Sequence, residues 1–181
     1  MSPFFRPALI ILLLLAASGC SILRVDPNDV LKVDEAVEIE RDAFKKVVYF
    51  QGPVVTNEAE DASNSPEVED ISLRATQEQN KPARFFLTIT DYYDGDWRGF
   101  DQAFDSAGAK FHALATRHKV QCTFLCGYEE VLEVELTRKY LDDHIKNGIT
   151  MRLYGPSGFA SAVFTLPGPY VEGFLKGSFV E

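Results

Sequence analysis

Apolar and polar residues alternate in short runs along most of the chain. In the clearest runs, residues 71–75 and 85–89, apolar side chains occupy every second position. A period of two is typical of strands that bury one face. Because the turn Asn80-Lys81-Pro82 separates the two runs, the pattern predicts a hairpin whose second strand is mostly buried.

The same alternation recurs on both sides of this hairpin. Further strand-like runs lie at 37–39, 46–50, 110–117, 131–136, 149–153 and 160–166, which with the first two make about eight short strands. Two segments have helical features instead. Thr137 is a suitable N-cap for a helix over 138–147 that Gly148 would end, and residues 169–175 form a second helical segment.

The fold class follows from the length of the connections. They are too short for repeated parallel crossovers, which need a dozen or more residues each. We therefore predict a mainly β fold, an antiparallel β-sandwich with two short helices, with a half-open β-barrel as the alternative. A single domain is expected over 35–181. Its segment 57–70 has six acids, no base and no aromatic residue, which predicts a surface loop.

The amino-terminal segment 1–19 predicts a cleaved signal peptide. Arg6 precedes an apolar run, Ala8–Ala17, and small residues follow that run, which is the three-part layout of secretory signals. The run has ten residues, whereas a helix that crosses a bilayer needs about 20. This difference argues against an uncleaved transmembrane anchor.

The end of that segment, Ala17-Ser18-Gly19-Cys20, resembles the lipobox of bacterial lipoproteins. The resemblance implies that Cys20 is acylated, that cleavage occurs just before it, and that residues 20–34 tether the domain to a membrane. The residue after Cys20 is Ser21 and not the Asp that marks retention at the inner membrane. It resembles the sorting pattern for the outer membrane, which implies a domain that faces the periplasm. The alternative is an ordinary signal peptide that leaves Cys20 as a free thiol.

Charge narrows the range of partners. The chain has 18 Lys and Arg against 27 Asp and Glu, a net charge of −9. Such a balance disfavours nucleic acid and anionic lipid headgroups as partners. It suits a domain that reaches a membrane only through its lipid.

The cysteine count predicts one disulfide. Once Cys20 is lipidated, Cys122 and Cys126 remain, and an even remainder in an oxidising compartment favours pairing. The C-x-x-x-C spacing does not match the thioredoxin-type C-x-x-C motif. A zinc site would need a second pair of Cys or His ligands.

The segment Asp91–Asp105 holds the most candidate chemistry, because it combines several carboxylates with Tyr92, Tyr93 and Trp97. The three aromatics are expected either to cap the core beside a turn or to form a recognition surface. The carboxylates suggest either a cation or paired-carboxylate site or a turn in which Asp and Gly serve backbone geometry. The turn is the favoured interpretation, since the EF-hand spacing is missing.

Histidine offers a second candidate site. His112 and His118 would lie on one face of a straight strand, but a zinc site needs three or four ligands. No nucleophile motif is present, because Gly155-Pro156-Ser157-Gly158 is not G-x-S-x-G. We therefore expect no catalytic residue, metal or cofactor.

The second half of the chain resembles a pattern in uncharacterised extracytoplasmic proteins of Gram-negative bacteria. The residues that carry the resemblance are, in order, Trp97, Phe100, Ala103, Gly108, Cys122, Cys126, Glu129-Glu130, Gly148, Gly155 and the ending Pro167-x-x-Tyr170-x-x-Gly173-Phe174. The resemblance implies a domain and no activity. The sequence as a whole predicts a lipid-anchored, non-enzymatic interaction or structural domain that binds another envelope protein. The alternatives are a metal-dependent hydrolase that uses the Asp91–Asp105 segment, and a carrier of a small ligand or lipid.

Overall fold

The computed structural model describes residues 25–60, 66–94, 96–122, 126–156 and 158–178. The predicted signal peptide and Cys20 lie outside these ranges. The strands are β1 (Glu38–Asp42), β2 (Val47–Gln51), β3 (Val55–Glu60), β4 (Pro66–Glu78), β5 (Arg84–Asp94), β6 (Gln102–Asp105), β7 (Lys110–Cys122), β8 (Cys126–Leu136), β9 (Ile149–Tyr154) and β10 (Phe164–Leu166). The helices are α1 (Val30–Glu35), α2 (Arg138–His144) and α3 (Gly168–Ser178).

One antiparallel sheet makes up most of the fold and curls into a half-barrel. The strand order is β1-β2-β4-β5-β8-β7-β6-β9-β10, and β3 pairs with the first half of β4. The prediction of a mainly β, antiparallel fold is confirmed, and the curled sheet is consistent with both predicted architectures. The predicted hairpin over 71–89 is β4 and β5.

Strand β7 joins the part of the sheet that ends at β8 to the part that begins at β6. Its first residues, Lys110–His112, pair with β6, and residues from Ala113 onward pair with β8. The strands on either side of β7 can therefore curl towards each other and enclose an apolar core. The largest fully buried side chains of this core include Phe100, Phe164, Tyr170, Phe174, Ile71, Leu73, Leu87, Ile89 and Leu132.

Helix α1 lies inside the segment predicted to be a tether, so the structure differs from that prediction. Asp29 caps the helix by accepting hydrogen bonds from the amides of Leu31 and Lys32, and Val33 is fully buried. The partner surface is on α3, where a Cβ at Gly173 would lie 2.6 Å from the Val30 carbonyl oxygen. Helix α3 is far from α1 in the sequence, so the residues around α1 do not by themselves indicate that α1 packs against the domain.

The other two helices agree more closely with the prediction. Thr137 caps α2, its hydroxyl accepting a hydrogen bond from the Tyr140 amide at 3.0 Å, and Gly148 has the positive φ of 75° expected of a residue that ends a helix. Helix α2 ends at His144, three positions short of the predicted end, and α3 is longer than predicted at both ends. In the ranges the structure covers, none of the helices has the length and apolar character needed to cross a membrane.

The acidic segment predicted to be a loop is largely strand. Residues 57–60 belong to β3 and 66–70 to β4, while 61–65 lie outside the described ranges. The Thr56 hydroxyl donates a hydrogen bond to the Asp70 carboxylate at 2.7 Å across this pair. Since β4 pairs here with β3 on one side and β5 on the other, ladder hydrogen bonds on both edges override the loop-like composition.

Candidate functional site

The loop between β5 and β6 lies over the inner face of the sheet at one end of the half-barrel. We call its described residues, 96–101, the Trp97 loop. The Arg98 amide donates a hydrogen bond to the Tyr93 hydroxyl at 3.1 Å, and the Gly99 amide donates to Glu130 Oε1, also at 3.1 Å. Two strands beneath the loop therefore hold its backbone directly.

A row of polar residues crosses the inner face under this loop. Asp91 of β5 is opposite Glu130 of β8, and Glu130 is opposite His118 of β7. Directly opposed residues in an antiparallel sheet place their side chains on the same face. Asp91 and Glu130 are almost completely buried, with 0% and 1% of their surface exposed, whereas His118 is exposed.

Tyr93 and Glu130 form the centre of this polar cluster. The Tyr93 hydroxyl donates a hydrogen bond to Glu130 Oε1. Burial raises the pKa of Tyr93 well above its usual range, and the neighbouring Glu130 carboxylate acts in the same direction. The phenol therefore stays protonated and keeps donating. The Arg98 guanidinium lies 4.3 Å from the centre of the Tyr93 ring. The Tyr128 ring stacks on the Tyr93 ring, with the two ring centres 5.4 Å apart.

This arrangement places Trp97 at the surface. Its side chain is 59% exposed, and its ring lies 6.0 Å from that of His118. Val120 follows His118 on the same face of β7 and is 49% exposed. We call Trp97, His118 and Val120 the Trp97 surface.

The predicted surface of three aromatics is not formed. Tyr92 and Tyr93 are consecutive residues of β5, so their side chains point to opposite faces of the sheet. Tyr92 is 38% exposed, whereas Tyr93 is buried at 4%. Trp97 keeps its predicted exposure, Tyr93 holds the loop in place, and Tyr92 lies on the other face.

The two strand histidines are also separated. The pairing of β7 with β8 shifts between Ala115 and Arg117, and this bulge adds one residue to the alternation. His118 therefore shares the inner face with Glu130, while His112 points outward, its Nδ1 lying 3.1 Å from the Asp101 carbonyl oxygen. Within the parts of the chain that are described, no three His, Cys, Asp or Glu side chains are placed to hold a metal ion together.

The carboxylates of the Asp91–Asp105 segment do not converge either. Asp105 accepts hydrogen bonds from the amides of Ala107 and Ala109, at 3.0 and 2.7 Å, so its role is in the turn, as predicted. A general acid must reach the substrate that it protonates. Asp91 and Glu130 are almost completely buried, which leaves neither positioned to reach a substrate, and Glu130 instead accepts a hydrogen bond from the Gly99 amide of the Trp97 loop.

Glu130 and Arg98 are the residues that sequence reasoning missed. A signal was present, because Glu129-Glu130 directly precedes an alternating apolar run. An acid on the buried face of a strand requires hydrogen-bond donors nearby.

Gly155 is required for the packing of the Trp97 loop, since a Cβ at this position would lie 2.2 Å from the Arg98 carbonyl oxygen.

Cys122 and Cys126 are opposite each other at the end of the β7–β8 hairpin. The side chain of Cys126 lies outside the described part of the structure. Directly opposed residues have Cα atoms about 4.5–5.5 Å apart, which is within the range that disulfides span. The predicted disulfide is thus compatible with the backbone register.

Alkylation of the purified protein without reductant should leave both Cys122 and Cys126 unlabelled, because a disulfide has no reactive thiol. Intact mass would measure the labels, and prior reduction should add two of them. In a Cys122→Ser control, Cys126 should take up label without reduction. Two labels on the unreduced wild-type chain would contradict the disulfide.

No known protein family, curated protein or solved structure matches this chain. A function must therefore be inferred from the chain's own residues.

Proposed function

We propose that this chain is a lipoprotein of the bacterial envelope that binds another envelope protein through the Trp97 surface. Cys20 carries the lipid, the outer membrane holds it, and the domain faces the periplasm. The domain has no enzymatic activity. The observation that carries the binding role is the 59% exposure of Trp97 on a loop whose backbone is held by Tyr93 and Glu130.

A fixed and exposed tryptophan is well suited to binding. Tryptophan is enriched among the residues that dominate interface energies, because it buries a large rigid surface. A loop that already has its bound conformation loses little conformational entropy on association. The neighbouring His118 and Val120 extend the surface with one polar and one apolar group.

The sequence supports the attachment. The lipobox-like Ala17-Ser18-Gly19-Cys20 follows directly on the apolar run, and stable anchoring needs more than one acyl chain. A triacylated cysteine meets that requirement.

The two alternatives have less support. A metal-dependent hydrolase would need several ligands around one metal ion. Asp94 and Asp96 are exposed, but no three His, Cys, Asp or Glu side chains of the described residues are placed to hold such an ion. A carrier would need an internal cavity where the large side chains of Phe100, Phe164 and Tyr170 now pack.

The binding role can be tested by capture from solubilised envelopes with tagged chains. We expect Trp97→Ala to reduce recovery of the specific partner at least about tenfold, since loss of a central interface tryptophan costs about 2 kcal/mol or more. Leu114→Ala is the matched control, because Leu114 is similarly exposed at 55% but lies on the outer face. Equal recovery by wild type and Trp97→Ala would refute the role of Trp97.

The attachment is tested in the same cells with an alkyne fatty acid. The label should mark the wild-type chain and not Cys20→Ser. A wild-type chain that takes no label and fractionates as a soluble protein would refute the anchor.

A further inference from the structure

The turn between β1 and β2 presents a phenylalanine completely to solvent. Phe44 is 100% exposed. The Asp42 carboxylate accepts hydrogen bonds from the amides of Phe44 and Lys45, at 3.0 and 2.9 Å. The turn therefore has a defined conformation that keeps the aromatic ring away from the domain.

Three lysines lie on this turn and on the turn beside it. Lys45 and Lys46 follow Phe44 directly, and Lys81 comes from the neighbouring β4–β5 turn. The two turns are joined, because the Gln79 amide donates a hydrogen bond to the Lys46 carbonyl oxygen at 3.1 Å. We call Phe44, Lys45, Lys46 and Lys81 the hairpin tip.

The cations at this tip point outward more than the acids do. The side chain of Lys45 is 71% exposed, against 23% for its partner Asp42. Lys81 is 64% exposed, against 48% for its partner Glu78. With Lys46 added, three lysines face solvent beside two partly shielded carboxylates, in a chain whose net charge is −9.

We propose that the hairpin tip is a second membrane contact, which inserts Phe44 between the headgroups of anionic phospholipids. This inference rests on the proposed anchoring through Cys20. Aromatic side chains favour the membrane interface, and lysines beside them bind anionic headgroups while their stems remain in the apolar zone. The overall acidity of the chain disfavours such lipids, but its charge is unevenly distributed and the tip is locally basic.

The anchor and the tip can reach the same bilayer. Val25 packs against the core, and the five residues from Cys20 to Val25 span at most about 18 Å. The anchored domain therefore stays close to the membrane, which is the surface that Phe44 is proposed to contact.

Trp97 is the only tryptophan of the chain, which allows a direct test. Phe44→Trp is introduced into a Trp97→Phe background, and the full-length lipidated protein is reconstituted in vesicles of phosphatidylethanolamine and phosphatidylglycerol. Brominated lipids should quench the new tryptophan about twofold or more, because the ring lies at the headgroup level, next to the upper part of the acyl chains. Leu114→Trp in the same background is the exposed control and should not be quenched.

Charge dependence completes the test. The combined change Lys45→Glu and Lys46→Glu should abolish the quenching, and vesicles of phosphatidylcholine alone should reduce it.

Vesicle flotation separates the proposed tip contact from the proposed anchor. Chains that float while Phe44→Trp is quenched no more than Leu114→Trp would overturn the tip contact and leave the anchor intact. Chains that do not float contradict the anchor. If the tryptophan of Phe44→Trp is then not quenched by added anionic vesicles either, the tip contact is overturned as well.

Discussion

Tyr170→Ala should lower the free energy of unfolding by about 3–5 kcal/mol, which is the usual range when a large buried aromatic is truncated. Tyr170 of α3 is fully buried. Its hydroxyl donates a hydrogen bond to the Pro53 carbonyl oxygen at 2.6 Å and accepts one from the Leu73 amide at 3.3 Å. Truncation therefore creates a cavity and removes both hydrogen bonds. Urea denaturation, with the slope checked for constancy, measures the loss.

Tyr170→Phe separates these two contributions. The ring remains, while the Pro53 oxygen and the Leu73 amide lose a partner inside the protein, which costs about 1–3 kcal/mol. The Phe variant should therefore unfold between the wild type and Tyr170→Ala. An Ala variant as stable as the Phe variant would show that the cavity contributes nothing and that the Tyr170 ring is not packed in the core.

Glu130→Ala should have the second large effect, a loss of about 2–4 kcal/mol, because it leaves the buried Tyr93 hydroxyl and the Gly99 amide without their acceptor. The same change should release the Trp97 loop. Trp97 fluorescence reports this directly, so we expect a red-shifted emission, lower anisotropy and stronger quenching by acrylamide. Partner capture should fall as well, since the loop would have to be ordered on binding.

Glu135→Ala is the matched control for that experiment. Glu135 is on the same strand but on the outer face, where its half-exposed carboxylate pairs with Arg84 at 2.9 Å. Exposed ion pairs contribute little, so this variant should keep wild-type stability and Trp97 fluorescence. If Glu130→Ala also leaves the fluorescence unchanged, the carboxylate does not position the loop.

Local patterns were enough to predict the elements whose signals are local. The alternation at 71–89 predicted β4 and β5, and Thr137 with Gly148 predicted α2, because capping and one-sided burial depend on neighbouring residues. Helix α1 and strands β3 and β6 were missed. The buried face of α1 depends on the close approach of α3 at Gly173 and Gly177, and β3 depends on pairing with an acidic strand.

The candidate site also combines features that the local sequence predicts with features that it does not. The sequence left open whether the aromatics of this segment cap the core or form an exposed surface. Tyr93 is buried and Trp97 is exposed, a division that could not be predicted because alternation assigns faces only once the length of β5 is known. The bulge between Ala115 and Arg117 separates His112 from His118, and no residue type in that stretch signals where a strand gains a residue.

The packing of α1 against α3 brings together the first and the last of the described helices, and this sets the order in which the domain can be completed. Val33 precedes Gly173 in the chain, so the buried face of α1 has no partner until Gly173 is present. Tyr170 and Phe174, which are fully buried, belong to the same late segment. A chain cut before Gly168 lacks all of α3 and cannot close this core, so the native state forms only once α3 has been added.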